Sequence, residues 1–259
     1  SYSQFMGKDN ANNIDLNREA QDLSQNESRV LMNAFNKLKP NLCLNLHGQR
    51  SIFGLETKKP ATVSFLSPSS NMDRKVTDSR RIAMELIVGL NEYLQKLIPG
   101  QVGRYYDSFN ANCFGDAFQM KGVPVILFEA GHLGDDYRRG KTRAYLFYAF
   151  VNLFGITKQD NFPINYKKYF LIPENKKNYY DYILRNVLVN DSIKPTSIAI
   201  QFTESLENET IKFIPKIAKI GGLDGFYGHL EKDGDNSEIL VNSQNNIEML
   251  NTYNQHLIN

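Results

Sequence analysis

The sequence predicts an α/β protein: a mixed, largely parallel sheet with helices on both faces over residues 1–158, followed by a linker and a small, mostly β domain over residues 159–259. Three observations predict it. Amphipathic helical stretches alternate with short, nearly continuous apolar runs in the first part, as strands buried on both faces require. Beyond the linker-like segment from Asp160 to Pro173 the pattern changes to short β-like runs separated by polar turns. Finally, 259 residues with 41% hydrophobic and 22% charged side chains are enough to bury a sizeable core.

The first helix is expected from Ser24, where Ser-Gln-Asn-Glu has the spacing of a capping box, and Val30, Leu31, Ala34, Phe35 and Leu38 recur at helical intervals until Pro40. Leu42 to Leu46 reads as a short buried strand that delivers His47 and Gly48 at its C-terminal end. A second helix is expected from about Asp78, with Ile82, Leu86, Leu90 and Leu94 spaced four apart, ending near Pro99-Gly100. Val123 to Phe128 is the next apolar strand and delivers Glu129; a third helix covers about Lys141 to Phe154. In the second part, Tyr182 to Val189, Ser197 to Phe202 and Thr210 to Ile220 read as strands, with Tyr179, Tyr180 and Tyr182 explained by a half-buried strand.

Composition removes several functions. Thirty Lys and Arg against twenty-eight Asp and Glu leave a net charge of +2, which gives no field suited to nucleic acid. No apolar run approaches the roughly 18–20 residues of a membrane span, and no signal-peptide pattern opens the chain. The two cysteines, Cys43 and Cys113, are too few for a disulfide framework and point to a reducing, cytoplasmic compartment. Oligomeric state is left open.

Chemistry gathers at the carboxyl ends of strands in such sheets, and strand geometry places His47 and Glu129 each at the rim. A neutral imidazole there can bind a metal, and a carboxylate in a partly desolvated cleft can move a proton. A core-edge histidine and a salt-bridged glutamate fit the same pattern, so both readings stand on spacing alone. A third signal is the polar segment Gly7 to Arg18, in which Asn17 and Arg18 offer donors to a carboxylate.

The run Asn-Ala-Asn-Asn-Ile-Asp-Leu-Asn-Arg, then a helix, an apolar strand ending in His47-Gly48 and a later apolar strand ending in Glu129 resembles the zinc carboxypeptidases, the carboxypeptidase A-like metallopeptidases. The resemblance covers roughly residues 7 to 155. It implies zinc-dependent hydrolysis that removes C-terminal amino acids from peptides, with His47 as a zinc ligand and Glu129 as general base and acid. It also implies that Asn17 and Arg18 grip the substrate's terminal carboxylate, and that Tyr105 or Tyr106 is the active-site tyrosine. Lys8 stands where the relatives carry an oxyanion-stabilising arginine; it supplies charge without the bidentate fork. The family's His-x-x-Glu motif, which supplies the other two zinc ligands, does not occur in this sequence. These ligands are therefore expected ahead of Ser1, in a longer protein.

Glu129 is followed by Ala130-Gly131-His132, with His132 expected to be structural and Asp135, Asp136 and Tyr137 to order the loop. Side-chain preference is expected between Asn110 and Phe118, where Phe114 and Asp116 point in opposite directions. Two alternatives accompany the peptidase: an N-acyl amino acid hydrolase of the aspartoacylase and succinylglutamate desuccinylase type, and a non-catalytic module that binds peptide carboxylates. The expected partner is a peptide or acylated amino acid with a free carboxylate, with neither nucleic acid nor membrane.

Overall fold

The computed structural model describes residues 9–156 and 165–241, so Lys8 lies outside the described residues. The chain is a mixed α/β protein that divides into two compact units, Ser1–Lys176 and Lys177–Asn259. The division falls later than the boundary at 158/159 that patterning suggests. Tyr166–Leu171 forms a 3-10 helix whose Tyr169 is fully buried in the first unit's core, and its hydroxyl accepts a hydrogen bond from the Ser67 backbone N–H. Of the expected linker, Asp160 to Pro173, residues 160–164 lie outside the described residues.

In the first unit, helix α1 is Asn26–Leu38. The capping box does not form: Ser24 Oγ donates instead to the buried Glu19 carboxylate at 2.9 Å, and Gln25 is the N-cap without a side-chain cap bond. Lys39 takes a left-handed conformation that ends the helix before Pro40. Helix α2, Asp78–Leu94, is capped by the Thr77 hydroxyl, which accepts from the Arg80 N–H. Its buried face is Ala83, Met84, Ile87, Val88, Leu90 and Leu94, whereas Ile82 is 41% exposed. A strict four-residue step drifts about 40° per step around a helix of 3.6 residues per turn, so steps of three and four must mix to hold one face. Helices α3, Phe114–Met120, and α4, Gly140–Ile156, complete this unit.

Strands β1 (Cys43–Gly48), β2 (Val63–Leu66), β3 (Val102–Arg104) and β4 (Val125–Ala130) form a four-stranded sheet in the order β1-β4-β2-β3. β1 runs parallel to β4 and β2 parallel to β3, but β4 and β2 are antiparallel. β1 therefore stands at the sheet edge, which corrects the expectation of a fully buried strand: with a ladder on one side only, Leu46 is 60% exposed. One face of the sheet, through Val63, Phe65, Val102, Ile126 and Phe128, packs on α2 and α4 in the main core. On the other face Cys43 and Val125 pack with Met32 and Phe35 of α1 and Phe114, Ala117 and Phe118 of α3. The Phe35 and Phe118 rings stack there with centroids 4.0 Å apart.

The second unit contains β5 (Tyr179–Val189), β6 (Thr196–Glu207), β7 (Thr210–Ile220), β8 (Tyr227–Asp233) and the short β9 (Glu238–Ile239). The order is β8-β5-β6-β7, with β9 paired to β5. Tyr182, Leu184, Ile198, Ile200 and Ile239 make its larger apolar cluster, and Ile183, Ala199 and Leu223 a smaller one. Successive strand residues thus feed separate clusters, as the two-residue period of a pleated strand requires. Among the described residues, no helix is long and apolar enough to cross a membrane.

Candidate functional site

Parallel pairing of β1 with β4 puts His47 directly opposite Glu129, and antiparallel pairing of β4 with β2 puts Glu129 opposite Ser64. Ser64 is in turn opposite Gly103 of β3. Register partners project to the same side of a sheet, so these four positions form one row across all four strands. That side is the one on which Cys43 and Val125 meet α1 and α3, four residues earlier along β1 and β4. It is apolar at one end of the strands and polar at the other.

Asn45 shares this side with His47, two residues before it, and its Oδ1 lies 3.0 Å from His47 Nε2. An amide oxygen only accepts, so this contact is a hydrogen bond in the ring form that carries a proton on Nε2. Helix α3 stands close by: a Cβ on Gly115 would come within 3.2 Å of Asn45 Nδ2.

Glu129 is half-buried, with Oε2 shut off from solvent. Its neighbour is Tyr105, whose hydroxyl is held well above the ordinary phenol range by burial first and by the Glu129 charge second, partly offset by a hydrogen bond with the Asn175 side chain. Tyr105 therefore stays protonated and acts as a donor. Tyr106 is 57% exposed, with the Arg74 guanidinium 4.9 Å from its ring centroid. Of the two candidate tyrosines it is Tyr105 whose hydroxyl feels the Glu129 charge. Behind both, fully buried Arg80 pairs with Asp107, which also meets Arg74 at 3.3 Å. Burial pushes the Asp107 carboxyl up, but the Arg80 hydrogen bond and charge outweigh it and hold the group below its usual range.

Asn17 and Arg18 lie on a 3-10 turn, Leu16–Arg18, capped by the Asp15 carboxylate, which accepts from Asn17 N–H at 2.9 Å. Arg18 Nη1 donates to Asn17 O at 2.8 Å and to Cys113 Sγ at 3.1 Å. Two further bonds, Ala20 N–H to Asn112 O and Gln21 Nε2 to Ala111 O, tie this turn to the loop before α3. Asp116, on α3, is near enough for Arg18 to favour its charge, yet burial dominates and raises its carboxyl to about 6. Arg18 thus reaches the His47 side of the molecule by way of α3: Cys113 is the helix N-cap and Gly115 abuts Asn45.

The strand ends themselves are clamped. Arg139 Nη1 donates to the carbonyls of Ala130, the last residue of β4, and of Gly131 just past it, and Nη2 to Gln49 O just past β1 at 2.9 Å. His132 is buried, with Nε2 2.8 Å from Gly134 O and its ring against Tyr137. The Asp136 carboxylate accepts from the N–H groups of Gly140, Lys141 and Thr142 and so caps α4.

Sequence patterning missed Asn45, Ser64, Gln49, Asn175 and Arg139. Asn45 was within reach, because a polar residue two before His47 in a strand must share its face. Among the described residues, no group of three or more His, Cys, Asp and Glu side chains is placed to hold a metal ion. His47 has the donor type of a zinc ligand and stands at a strand end; a zinc site takes three protein ligands in a catalytic protein. Comparison of the chain with protein-family models, with curated proteins and with solved structures gives no match.

Proposed function

We propose that this chain carries the catalytic core of a zinc-dependent hydrolase that cleaves amide bonds next to a free carboxylate, releasing C-terminal amino acids from peptides. The observation that supports it most is the register of β1 and β4, which sets His47 and Glu129 side by side at the polar end of the sheet with Tyr105 next to the carboxylate.

Zinc, when bound, supplies Lewis-acid polarisation of the scissile carbonyl and of the attacking water. His47 would be one ligand, and this reading requires two more that the described residues do not supply. Glu129 takes a proton from the attacking water and returns it to the leaving amine, a role suited to a carboxylate with one oxygen withdrawn from solvent. Tyr105, kept protonated, donates to the carbonyl oxygen as charge develops on it. Arg18 pairs with the substrate carboxylate, which confines cleavage to chain ends. Lys8 would add positive charge near the carbonyl.

The test is zinc content by elemental analysis together with amino acid release from peptides, for this chain and for the product of its complete gene. Zinc bound at one per chain with release of C-terminal residues is the expected result for the complete product. Cleavage of acylated amino acids in place of peptides would move the assignment to the N-acyl amino acid hydrolases. Peptide binding without zinc or turnover in either protein would leave a carboxylate-binding module.

A further inference from the structure

Arg18 is exposed, yet one side of its guanidinium is already committed. Nη1 carries two hydrogens and both are used, one on Asn17 O at 2.8 Å and the other on Cys113 Sγ at 3.1 Å. Nε and Nη2 carry the remaining three. Among the described residues these make no bond to the protein, and no Asp or Glu forms an ion pair with Arg18. Nε and Nη2 share one edge of the planar group, and their parallel N–H bonds are the fork that grips a carboxylate through both oxygens.

The committed side is fixed at both ends. Arg18 N–H bonds Asp15 O at 2.9 Å, and the chain leaving the turn is held by Ala20 N–H on Asn112 O at 3.1 Å and Gln21 Nε2 on Ala111 O at 3.0 Å. Cys113 follows those two residues directly. Its N–H bonds Asn110 O and its carbonyl accepts from Ala117 N–H, both at 2.9 Å, while Asn110 N–H donates to the Asp116 carboxylate at 3.2 Å. The sulfur therefore has a set place relative to the Arg18 backbone. Cys113 is the N-cap of α3 but makes no side-chain cap bond, so ending the helix does not depend on its thiol. An arginine held at its backbone and again at Nη1 has already lost much of the freedom that an exposed side chain gives up on binding.

We infer that Cys113 is a positioning residue: its sulfur holds Arg18 Nη1 and leaves the Nε–Nη2 edge as a preset, two-pronged receptor for a carboxylate. That a substrate carboxylate binds Arg18 rests on the reading proposed above; the hold of Cys113 on Arg18 does not.

The test labels the arginines with 15N and assigns Arg18 by loss of its side-chain signals in Arg18→Lys. In the ligand-free parent Nη1 and Nη2 of Arg18 give separate signals. In Cys113→Ala they merge as the group turns about the Nε–Cζ bond, and Cys113→Ser, whose hydroxyl also accepts, keeps them apart. N-acetylglycine is the carboxylate probe and N-acetylglycinamide its neutral control. The acid moves the Nε and Nη2 signals and leaves Nη1 in place, and Cys113→Ala weakens its binding about tenfold, with most of the loss recovered in Cys113→Ser. Merged signals in the parent, or equal binding of N-acetylglycine by Cys113→Ala and the parent, would overturn the inference. In turnover by the complete gene product, Cys113→Ala raises KM about tenfold with kcat unchanged, because a carboxylate away from the scissile bond is gripped alike in ground and transition states. A fall in kcat with KM unchanged also overturns it. If N-acetylglycine does not bind the parent, the carboxylate reading of Arg18 fails, and the Nη1 and Nη2 signals in the two Cys113 variants still decide the positioning.

Discussion

The two ends of one sheet face follow opposite rules. At the start of β1 and β4, Cys43 and Val125 are covered by Phe35, Phe114 and Phe118 and contribute only packing. Four residues on, His47 and Glu129 occupy the same two strands and the same side, and their neighbours are Asn45, Ser64 and Tyr105. The backbone ladder is continuous across both ends, so the difference lies in what stands over the sheet. Helices α1 and α3 exclude water at one end, where an unpaired polar group would be costly. At the other end polar side chains hold one another, and the strand carboxyl ends stay available for chemistry.

This contrast can be broken from either end. The largest effect is expected at Glu129: Glu129→Gln lowers turnover by about 10²–10⁴-fold with thermal stability and zinc content unchanged. Unchanged turnover would remove Glu129 from the mechanism. At the apolar end Phe118→Ala costs about 3–5 kcal/mol in denaturant unfolding, because it removes a ring stacked on Phe35 and leaves a cavity under α1. A loss of activity without loss of stability there would erase the distinction between the ends.

Asp116 sits between the two, and its effect is intermediate. Burial raises its carboxyl from 3.8 to about 6. Between those values the folded chain holds a proton that the unfolded chain has released, so Asp116 lowers stability as pH rises through this window. Asp116→Asn therefore raises Tm by a few degrees at about pH 7, and variant and parent converge below about pH 4. Equal Tm values at neutral pH would show the carboxyl to be solvated. The smallest effect belongs to Leu46, on the same edge strand but on the opposite face and 60% exposed there: Leu46→Lys changes stability by less than about 0.5 kcal/mol in chemical denaturation.

The sequence makes the two functional strands visible because each is an apolar run closed by one chemically capable residue, His47 or Glu129. It does not show that the strands are neighbours in register, since a two-residue alternation sets which face a side chain takes and not which partner it meets. The short strands Val63–Leu66 and Val102–Arg104 escape for the same reason: too few residues to display a period. Asn175 is further from reach. It meets Ser64 across 111 residues, through a pairing that only the folded β3 creates. In the helices the opposite limit applies: local spacing gave α2 its start at Asp78, but the helix ends at Leu94 rather than near Pro99-Gly100, and its buried stripe, away from Ile82, is set by the sheet beneath it.

The Arg139 guanidinium, bonded to carbonyls at the end of β4 and just past β1, has a mechanical consequence. A fluctuation that lifts one strand end must carry the other with it, so thermal motion displaces His47 and Glu129 together and leaves their separation little changed. Misplacement of about 1 Å between reacting groups can cost about 10²-fold in rate. On the hydrolase reading proposed above, a single side chain outside the proposed reacting groups makes the motion of the two strand ends common to both and so filters out the displacement that would matter.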